Sequence, residues 1–152
     1  MKSTQLFDQD GLRTFLLVLD KGDEAYERIS GFADENRILG ASLTAIGAAS
    51  RVTLGYFDPE LSEYRYTDFD EQLELASCIG DIAENQGSPA LHAHVVLGRR
   101  DSSAIAGHLK KLVVFPTMEV VLTETPAHLR KRIDPQTGLA LIDATRTTHA
   151  QG

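Results

Sequence analysis

The chain has 152 residues, of which 42% are hydrophobic and 24% charged, and its formal net charge is −7. This length and composition are typical of one folded domain with a single hydrophobic core, and they exclude a disordered or low-complexity chain. No segment approaches the roughly 20 consecutive apolar residues of a transmembrane helix, and the first residues lack the apolar core of a signal peptide. We therefore expect a cytoplasmic protein that does not enter a membrane.

The acidic balance argues against a protein that holds nucleic acid mainly through phosphate contacts. The chain carries 15 Lys and Arg residues against 22 Asp and Glu residues. Binding of that kind needs a basic face, because counterion release from the phosphates supplies most of its affinity. The basic residues form only short clusters, at 99–100, 110–111 and 130–132, and each cluster is interpreted as a solvated edge or turn.

Several common classes of chemistry lack their motifs. Cys78 is the single cysteine, so no intrachain disulfide can form, and its apolar surroundings indicate a core residue rather than a nucleophile. Gly47 and Gly55 stand alone, outside any phosphate-binding loop. Ser102 and Ser103 lack the strand-turn-helix context of a hydrolase nucleophile. Nucleotide binding and serine hydrolysis therefore have no support.

The first predicted elements are a strand and an amphipathic helix. Residues 13–19 form an apolar run of strand formers that ends in a cluster of turn residues at 20–23. From 24 to 38 the apolar residues follow helical spacing only as far as Ala33, and polar residues occupy the other positions. Asp23 is placed to cap this helix, because its carboxylate can accept hydrogen bonds from the first turn.

The rest of the chain predicts strands joined by short turns. Alternating or continuous apolar residues mark each of them, and clusters of Gly, Pro, Asp and Ser separate them. They are 41–49, a hairpin of 51–57 and 63–67 around the turn 58–60, then 71–82, 91–97 and 118–123. One early helix followed by many strands predicts an α+β fold with a mainly antiparallel sheet and one principal helix packed on it.

We expect residues 1–152 to form a single domain. Its C-terminal part is predicted to be a short strand extension at about 128–143, followed by a frayed tail at 144–152.

His92, His94 and His108 are the most informative residues of the chain. His92 and His94 alternate in a predicted strand, so their side chains share a face with Cα atoms roughly 6.5 to 7 Å apart. His108 follows a polar turn and Gly107, which lets the backbone bend, and it could supply a third ligand. Three neutral imidazoles leave a coordination position open, as in catalytic or ligand-binding zinc sites. The alternative is that these histidines make separate hydrogen bonds and never meet.

Two carboxylates are candidates for proton transfer at such a site. Glu119 lies on a predicted neighbouring strand, where it could accept a hydrogen bond from an imidazole or act on metal-bound water. Its other interpretation is an exposed carboxylate on a half-buried strand. Asp101 is the second candidate. His128 and His149 lie in a polar loop and in the tail, and neither is predicted to be a ligand.

Six short motifs follow one another in a specific order: Gly22-Asp23-Glu24, Ala45-Ile46-Gly47-Ala48, Glu74-Leu75-Ala76-Ser77-Cys78-Ile79-Gly80-Asp81-Ile82, Pro89-Ala90-Leu91-His92-Ala93-His94, Gly107-His108-Leu109 and Thr117-Met118-Glu119-Val120-Val121. Their order resembles the plants-and-prokaryotes conserved (PPC) domain family over about residues 13–124. The resemblance implies a single α/β domain with a mainly antiparallel sheet that usually assembles as a trimer. It also implies that His92, His94 and His108 can bind a divalent metal such as zinc.

The DNA-binding part of this resemblance is weaker than the domain itself. Plant relatives join the domain to a short basic AT-hook, and prokaryotic relatives have been labelled DNA-binding largely by that association. An AT-hook needs an Arg-Gly-Arg core that enters the narrow minor groove of A·T tracts. The chain has no such core, because the basic cluster at 130–132 lacks the glycine.

Three functional hypotheses follow. The first is a cytoplasmic homotrimer that holds zinc or another divalent metal and has a binding, regulatory or scaffolding role. The second is a metal-dependent enzyme acting on a small molecule. The third is DNA binding, in which oligomerisation would align the basic residues at 99–100 and 110–111 into one surface.

Overall fold

Long strands make up most of the protein in the computed structural model, which describes residues 1–10, 12–146 and 148–149. The predicted fold class is confirmed: the chain is a single, mainly antiparallel β domain with one short helix. In chain order the elements are β1 (Lys2–Gln9), β2 (Leu12–Asp20), α1 (Ala25–Glu35), β3 (Gly40–Asp58), β4 (Glu63–Phe69), β5 (Leu73–Asn85), β6 (Ser88–Gly98), β7 (Ala104–Glu124), β8 (Ala127–His128), β9 (Lys131–Ile133), β10 (Ala140–Ile142) and β11 (Thr148–His149).

The sheet closes on itself through one additional strand pairing. Its strand order is β1-β2-β7-β6-β5-β3-β4, and every pair in it is antiparallel. Strand β3 also pairs with β7, so β3, β5, β6 and β7 form a closed barrel. Strand β7 therefore pairs with β2, β3 and β6 along its length. Two short sheets, β9 with β10 and β8 with β11, belong to the C-terminal part of the chain.

The inward side chains of the strands form the hydrophobic core. On β2, Phe15, Leu17 and Leu19 are buried and alternate with partly exposed residues. Helix α1 packs on the core, where the rings of Phe32 and Phe15 lie 5.1 Å apart in an edge-on contact. Burial of each such side chain contributes about 1.5 to 3 kcal/mol. Cys78 is buried in the same core, as predicted, and burial raises the pKa of its thiol to about 11.

The helix begins with a different cap from the predicted one. Glu24, rather than Asp23, accepts hydrogen bonds from two backbone N–H groups of the first turn, at 3.1 and 2.9 Å. The prediction for Asp23 was wrong because this side chain is buried and accepts hydrogen bonds from the Asp20 backbone N–H and from Arg28. No helix among the described residues combines the length and the apolar character needed to cross a membrane.

Several strands are longer than their sequence patterns indicated. The two segments predicted at 41–49 and 51–57 form one strand, β3, and the predicted strand 118–123 is only the end of β7. Register shifts interrupt the pairing of β3 with β7, and such bulges break the alternation of apolar residues without ending the strand. Every residue of β1 is exposed, so this strand had no apolar pattern from which to predict it.

The predicted loop at 84–89 is mostly strand. The chain reverses between β5 and β6 in a two-residue turn, Gln86 and Gly87, whose φ angles are 54° and 89°. Two consecutive positive φ angles are typical of the type I′ turns that join antiparallel strands tightly. The hairpin predicted around 58–60 is confirmed by the pairing of Asp58 with Glu63.

Residues 127–143, called here the C-terminal segment, lie against the last residues of β5. The backbone N–H of Glu84 donates to the Leu129 carbonyl at 2.7 Å, and the Glu84 carboxylate pairs with Arg130 at 3.1 Å. Of the predicted tail at 144–152, residues 147 and 150–152 lie outside the described residues. Residues 148 and 149 pair with β8.

Replacing Glu24 with alanine should lower the free energy of unfolding by about 2 kcal/mol. Its carboxylate caps α1 and also accepts a hydrogen bond from the Leu112 backbone N–H at 2.9 Å, so the change removes both interactions. Urea denaturation followed by circular dichroism measures the loss. Glu27→Ala, an exposed change in the same helical turn, is the control, and an equal loss there would contradict the role given to Glu24.

Candidate metal centre

Three histidines on β6 and β7 face one another on the outer surface of the barrel. His94 lies directly opposite His108, and His92 is two residues before His94 on the same face. The ring centroids are 5.2 Å apart for His92 and His94, 5.2 Å for His92 and His108, and 5.5 Å for His94 and His108. One nitrogen from each ring lies within 4.8 Å of the other two. The three side chains are therefore close enough to hold one metal ion.

The protonation of these side chains also fits a metal. Burial, together with the nearby positive charges of His92, His94, Lys110 and Lys131, lowers the pKa of His108 to about 4. The pKa of His94 is lowered by burial and by His92. Metal ions bind the neutral imidazole, so these two rings are in the binding form at neutral pH without paying for deprotonation.

One ring nitrogen lacks a partner within the protein. Nδ1 of His108 is buried and has no hydrogen-bond partner in the described part of the chain. Leaving a buried polar atom unsatisfied costs about 1 to 3 kcal/mol, so such atoms commonly mark a site for water or an ion. The orphaned nitrogen is a second observation, besides the short distances, that fits metal binding.

His108 lies in the middle of a strand rather than after a bend. We expected Gly107 to let the backbone turn, but it continues β7, so that expectation was wrong. A Cβ atom on Gly107 would lie 3.1 Å from the Gly55 carbonyl oxygen and 3.2 Å from Cβ of Leu54. The glycine therefore allows β7 to approach β3 closely, while the pairing of β7 with β6 places His108 opposite His94.

One tyrosine of β4 lies against His108, and a second tyrosine stacks on the first. The rings of Tyr64 and His108 are 4.7 Å apart, and Tyr66 stacks on Tyr64 at 5.9 Å. A Cβ atom on Gly55 would lie 2.9 Å from Tyr64 and 3.1 Å from Tyr66, so only a glycine leaves room for these rings. The ring of Tyr64 also packs on that of Phe57 across the pairing of β3 with β4, at 5.6 Å, as is typical of aromatic residues in a hairpin. Nothing in the sequence indicated that His108 is another partner of Tyr64.

Sequence reasoning missed two charged residues beside His92. Asp81 lies opposite His92 in the pairing of β5 with β6, and its Oδ2 is 3.5 Å from Nδ1 of His92. Lys131 of β9 brings its ammonium group to 3.7 Å from Oδ1 of the same carboxylate. A charged residue in the otherwise apolar segment 75–83 is the signal that could have identified Asp81. Nothing in the local sequence pairs Lys131 with it.

The two predicted proton-transfer candidates lie elsewhere. Glu119 lines a surface cavity of about 530 Å³ together with Ile46 and Thr117, and none of the three histidines lines that cavity. Asp101 accepts hydrogen bonds from Ser103, which lower the pKa of its carboxyl. Within the described residues, neither carboxylate has a hydrogen bond or an ion pair to the three histidines. A role for either in proton transfer stays a prediction.

The basic clusters are partly neutralised by carboxylates. Arg99 pairs with Glu71 at 3.0 Å, and the guanidinium groups of Arg130 and Arg132 lie close to carboxylates at 3.1 and 3.4 Å. These pairs lower the positive potential that would otherwise attract phosphates.

The amino-acid sequence places this barrel in a known protein family. The chain belongs to the Plants and Prokaryotes Conserved (PCC) domain family, whose model matches residues 7–126. This match confirms the resemblance that the six short motifs indicated. It ends before the C-terminal segment begins.

Three solved structures are similar over most of their length. A plant- and prokaryote-conserved protein from Pyrococcus horikoshii is 32% identical with a TM-score of 0.81, covering 86% of this chain and 91% of that one. A metal-containing protein from Archaeoglobus fulgidus is 35% identical with a TM-score of 0.79, covering 85% and 91%. A candidate DNA-binding protein from Bacteroides thetaiotaomicron is 27% identical with a TM-score of 0.86, covering 95% and 99%. A search of curated proteins finds no match.

The metal-free protein should lose stability in acid because of His108. Folding lowers the pKa of His108 from 6.5 to about 4, so between these values the unfolded chain binds the proton more readily than the folded protein. The stability that the neutral ring allows is complete above about pH 6.5 and is lost as the pH falls toward about 4. We expect the free energy of unfolding to fall by about 2 kcal/mol more in the wild type than in His108→Gln over this range.

Urea denaturation in the presence of a chelator, repeated across this pH range, measures the difference. Parallel pH profiles for the two proteins would contradict the assignment to His108.

Proposed function

We propose that this PCC-domain protein is a homo-oligomer, with a trimer as the expected form, that binds a divalent metal ion through His92, His94 and His108. Its role would be binding, regulatory or scaffolding. The observation that carries the proposal is the convergence of three imidazole nitrogens within 4.8 Å of one another. Three histidines leave a fourth coordination position for water or a ligand.

Zinc is the ion that we expect. Imidazole ligands suit zinc, copper, iron and nickel, whereas magnesium and calcium prefer oxygen ligands. The Archaeoglobus fulgidus protein, 35% identical to this chain, is described as containing a metal. That description supports a metal here without naming which one.

An apolar area on the outer face of the barrel supports association with further copies of the chain. Ile46, Ile79 and Val121 are 59%, 64% and 41% exposed. The strand pairing places Ile79 and Val121 on either side of Thr44, and all four residues line one shallow cavity of about 340 Å³. Large exposed aliphatic groups that lie together mark interaction sites more often than free surface. The occupant we propose is a second copy of the chain, in a closed symmetric assembly.

The metal centre lies at the edge of this apolar area. His94 is directly opposite Ile79 in the pairing of β5 with β6, so the two side chains share a face and are neighbours. An oligomer built on this face would bring the centre close to a subunit boundary. A ligand at the open coordination position would then contact more than one subunit.

DNA binding has narrower support. Two similar structures are described as candidate DNA-binding proteins, but these descriptions assign DNA contacts to no residue of this chain. A net charge of −7 opposes phosphate-driven binding.

An enzymatic role would need an acid-base group at the open coordination position. The carboxylate next to the histidines, that of Asp81, instead lies between His92 and Lys131. The binding or regulatory role is therefore preferred.

Changing His92 and His94 together to alanine should abolish metal binding. The wild type, dialysed against zinc and then against buffer, should retain about one ion per chain, and the double variant almost none. Elemental analysis by mass spectrometry gives both numbers. His128→Ala is the control, because His128 belongs to β8 and is not one of the three converging rings. Equal zinc in wild type and double variant would overturn the metal proposal.

Replacing Ile79 with aspartate should dissociate the oligomer. A charge within the apolar face would have to be buried on association, which costs several kcal/mol. Size-exclusion chromatography with light scattering should give a mass three times that of the chain for the wild type and one chain mass for the variant. Leu61→Asp, at a residue that is 55% exposed in the turn after β3, should leave the mass unchanged. A monomeric wild type would reject the assembly.

A further inference from the structure

The carboxylate of Asp81 lies between the metal centre and the C-terminal segment. Its Oδ2 is 3.5 Å from Nδ1 of His92, and its Oδ1 is 3.7 Å from the ammonium of Lys131. Oδ1 is buried and has no hydrogen bond in the described structure, so the lysine is its nearest source of compensation. The two oxygens of one side chain thus face two different elements, β6 and β9.

We propose that Asp81 is a positioning residue of the metal centre: it holds His92 with Nδ1 protonated, so that Nε2 is the nitrogen offered to the ion, and Lys131 keeps Asp81 in that orientation. The inference rests on the proposed metal-binding function and deepens it. It assigns to the C-terminal segment a part in setting the metal affinity.

The tautomer of His92 follows from which nitrogen faces the carboxylate. A neutral imidazole has one N–H donor and one acceptor nitrogen, and the N–H points to the carboxylate when one is adjacent. The separation of 3.5 Å is longer than a typical hydrogen bond, so the carboxylate acts on the ring as a nearby negative charge that favours the proton on Nδ1, the nitrogen that faces it. Carboxylates in this relation to ligating histidines fix the ring orientation and make the other nitrogen a stronger ligand.

The buried ammonium group of Lys131 and the carboxylate of Asp81 compensate each other's charge. Its side chain is only 6% exposed, and its ammonium group has two neighbours, the Asp81 carboxylate and the Ala90 carbonyl oxygen at 3.5 Å. A buried ammonium is costly unless a carboxylate compensates it, and the same holds for the buried oxygen of Asp81. Neither group can turn away without leaving the other uncompensated, which fixes the orientation of the carboxylate toward His92.

This arrangement joins the family domain to a segment outside it. The PCC family model ends at residue 126, and Lys131 follows it. The segment is anchored beside β5 by the Glu84 backbone N–H to the Leu129 carbonyl at 2.7 Å, and by the Glu84 carboxylate to Arg130 at 3.1 Å. Detachment of this segment would therefore alter the metal centre, because it would remove Lys131 from Asp81 and so free the carboxylate that faces His92.

The first test is spectroscopic and uses the metal-free protein. Nitrogen-15 NMR of the imidazole rings reports which nitrogen of His92 carries the proton. We expect the Nδ1–H form in the wild type, and a shift toward the Nε2–H form in Asp81→Asn and in Lys131→Met. Glu74→Gln is the matched control, because it removes an exposed carboxylate from the same strand, β5, at the end away from the histidines and from the C-terminal segment. An Nε2–H ring in the wild type, or no change in Asp81→Asn, would overturn the proposal.

The second test measures zinc affinity by competition with a chromophoric chelator. Asp81→Asn should bind zinc about 10- to 100-fold more weakly, and the control Glu74→Gln should bind like the wild type. Lys131→Met should also weaken binding, although the loss of a nearby positive charge alone would strengthen it. Lys110→Met measures the effect of losing a nearby positive charge alone. Lys110 also lowers the pKa of His108, but its ammonium group lies over the ring of Tyr66 instead of facing Asp81.

The Lys131 effect should vanish in the Asp81→Asn background, because the two residues are proposed to act through one path. Equal or tighter zinc binding by Lys131→Met, with the fold intact by circular dichroism, would overturn the part given to Lys131. If the wild type binds no zinc, the metal-binding function fails, and the NMR result alone then decides whether Asp81 positions His92.

Discussion

The antiparallel register between β6 and β7 determines both the core of the barrel and the geometry of the histidines. With His94 opposite His108, the neighbours Ala93 and Val95 point into the core and are almost fully buried. A shift of one residue would turn the imidazoles inward and the apolar side chains outward. Each imidazole buried without a partner would cost a few kcal/mol, so the hydrophobic pattern of β6 holds the three rings in their observed arrangement.

Close approach of backbones is the second requirement of this geometry. Gly107 brings β7 close to β3, and Gly55 makes room for the tyrosine rings over His108. Gly80 serves the same purpose between β5 and β6, because a Cβ atom there would lie 2.5 Å from the His92 carbonyl oxygen. The packing of the strands around the histidines is therefore sufficient to explain why glycine occupies these three positions.

Local patterns predicted the segments in which one face is buried and the other exposed. The α+β class, the helix and the hairpin of β3 and β4 follow from such patterns, and so does the shared face of His92 and His94. The full length of β7 was not predictable in this way, because bulges interrupt its alternation. Asp81 and Lys131 are 50 positions apart, and only the folded chain places their charges together. The oligomer and the bound metal remain inferences from residue type and surface.

The residues around the three histidines differ in exposure, and this difference determines from which side a ligand would approach the candidate centre. Tyr64 packs against His108, and Asp81 with the buried Lys131 lies beside His92. His94 is the exposed member of the three. A ligand at the proposed open coordination position would therefore approach past His94, at the edge where Ile79 begins the apolar face. Access of ions or ligands to the centre and association of subunits would use the same part of the surface, so each would be able to obstruct the other.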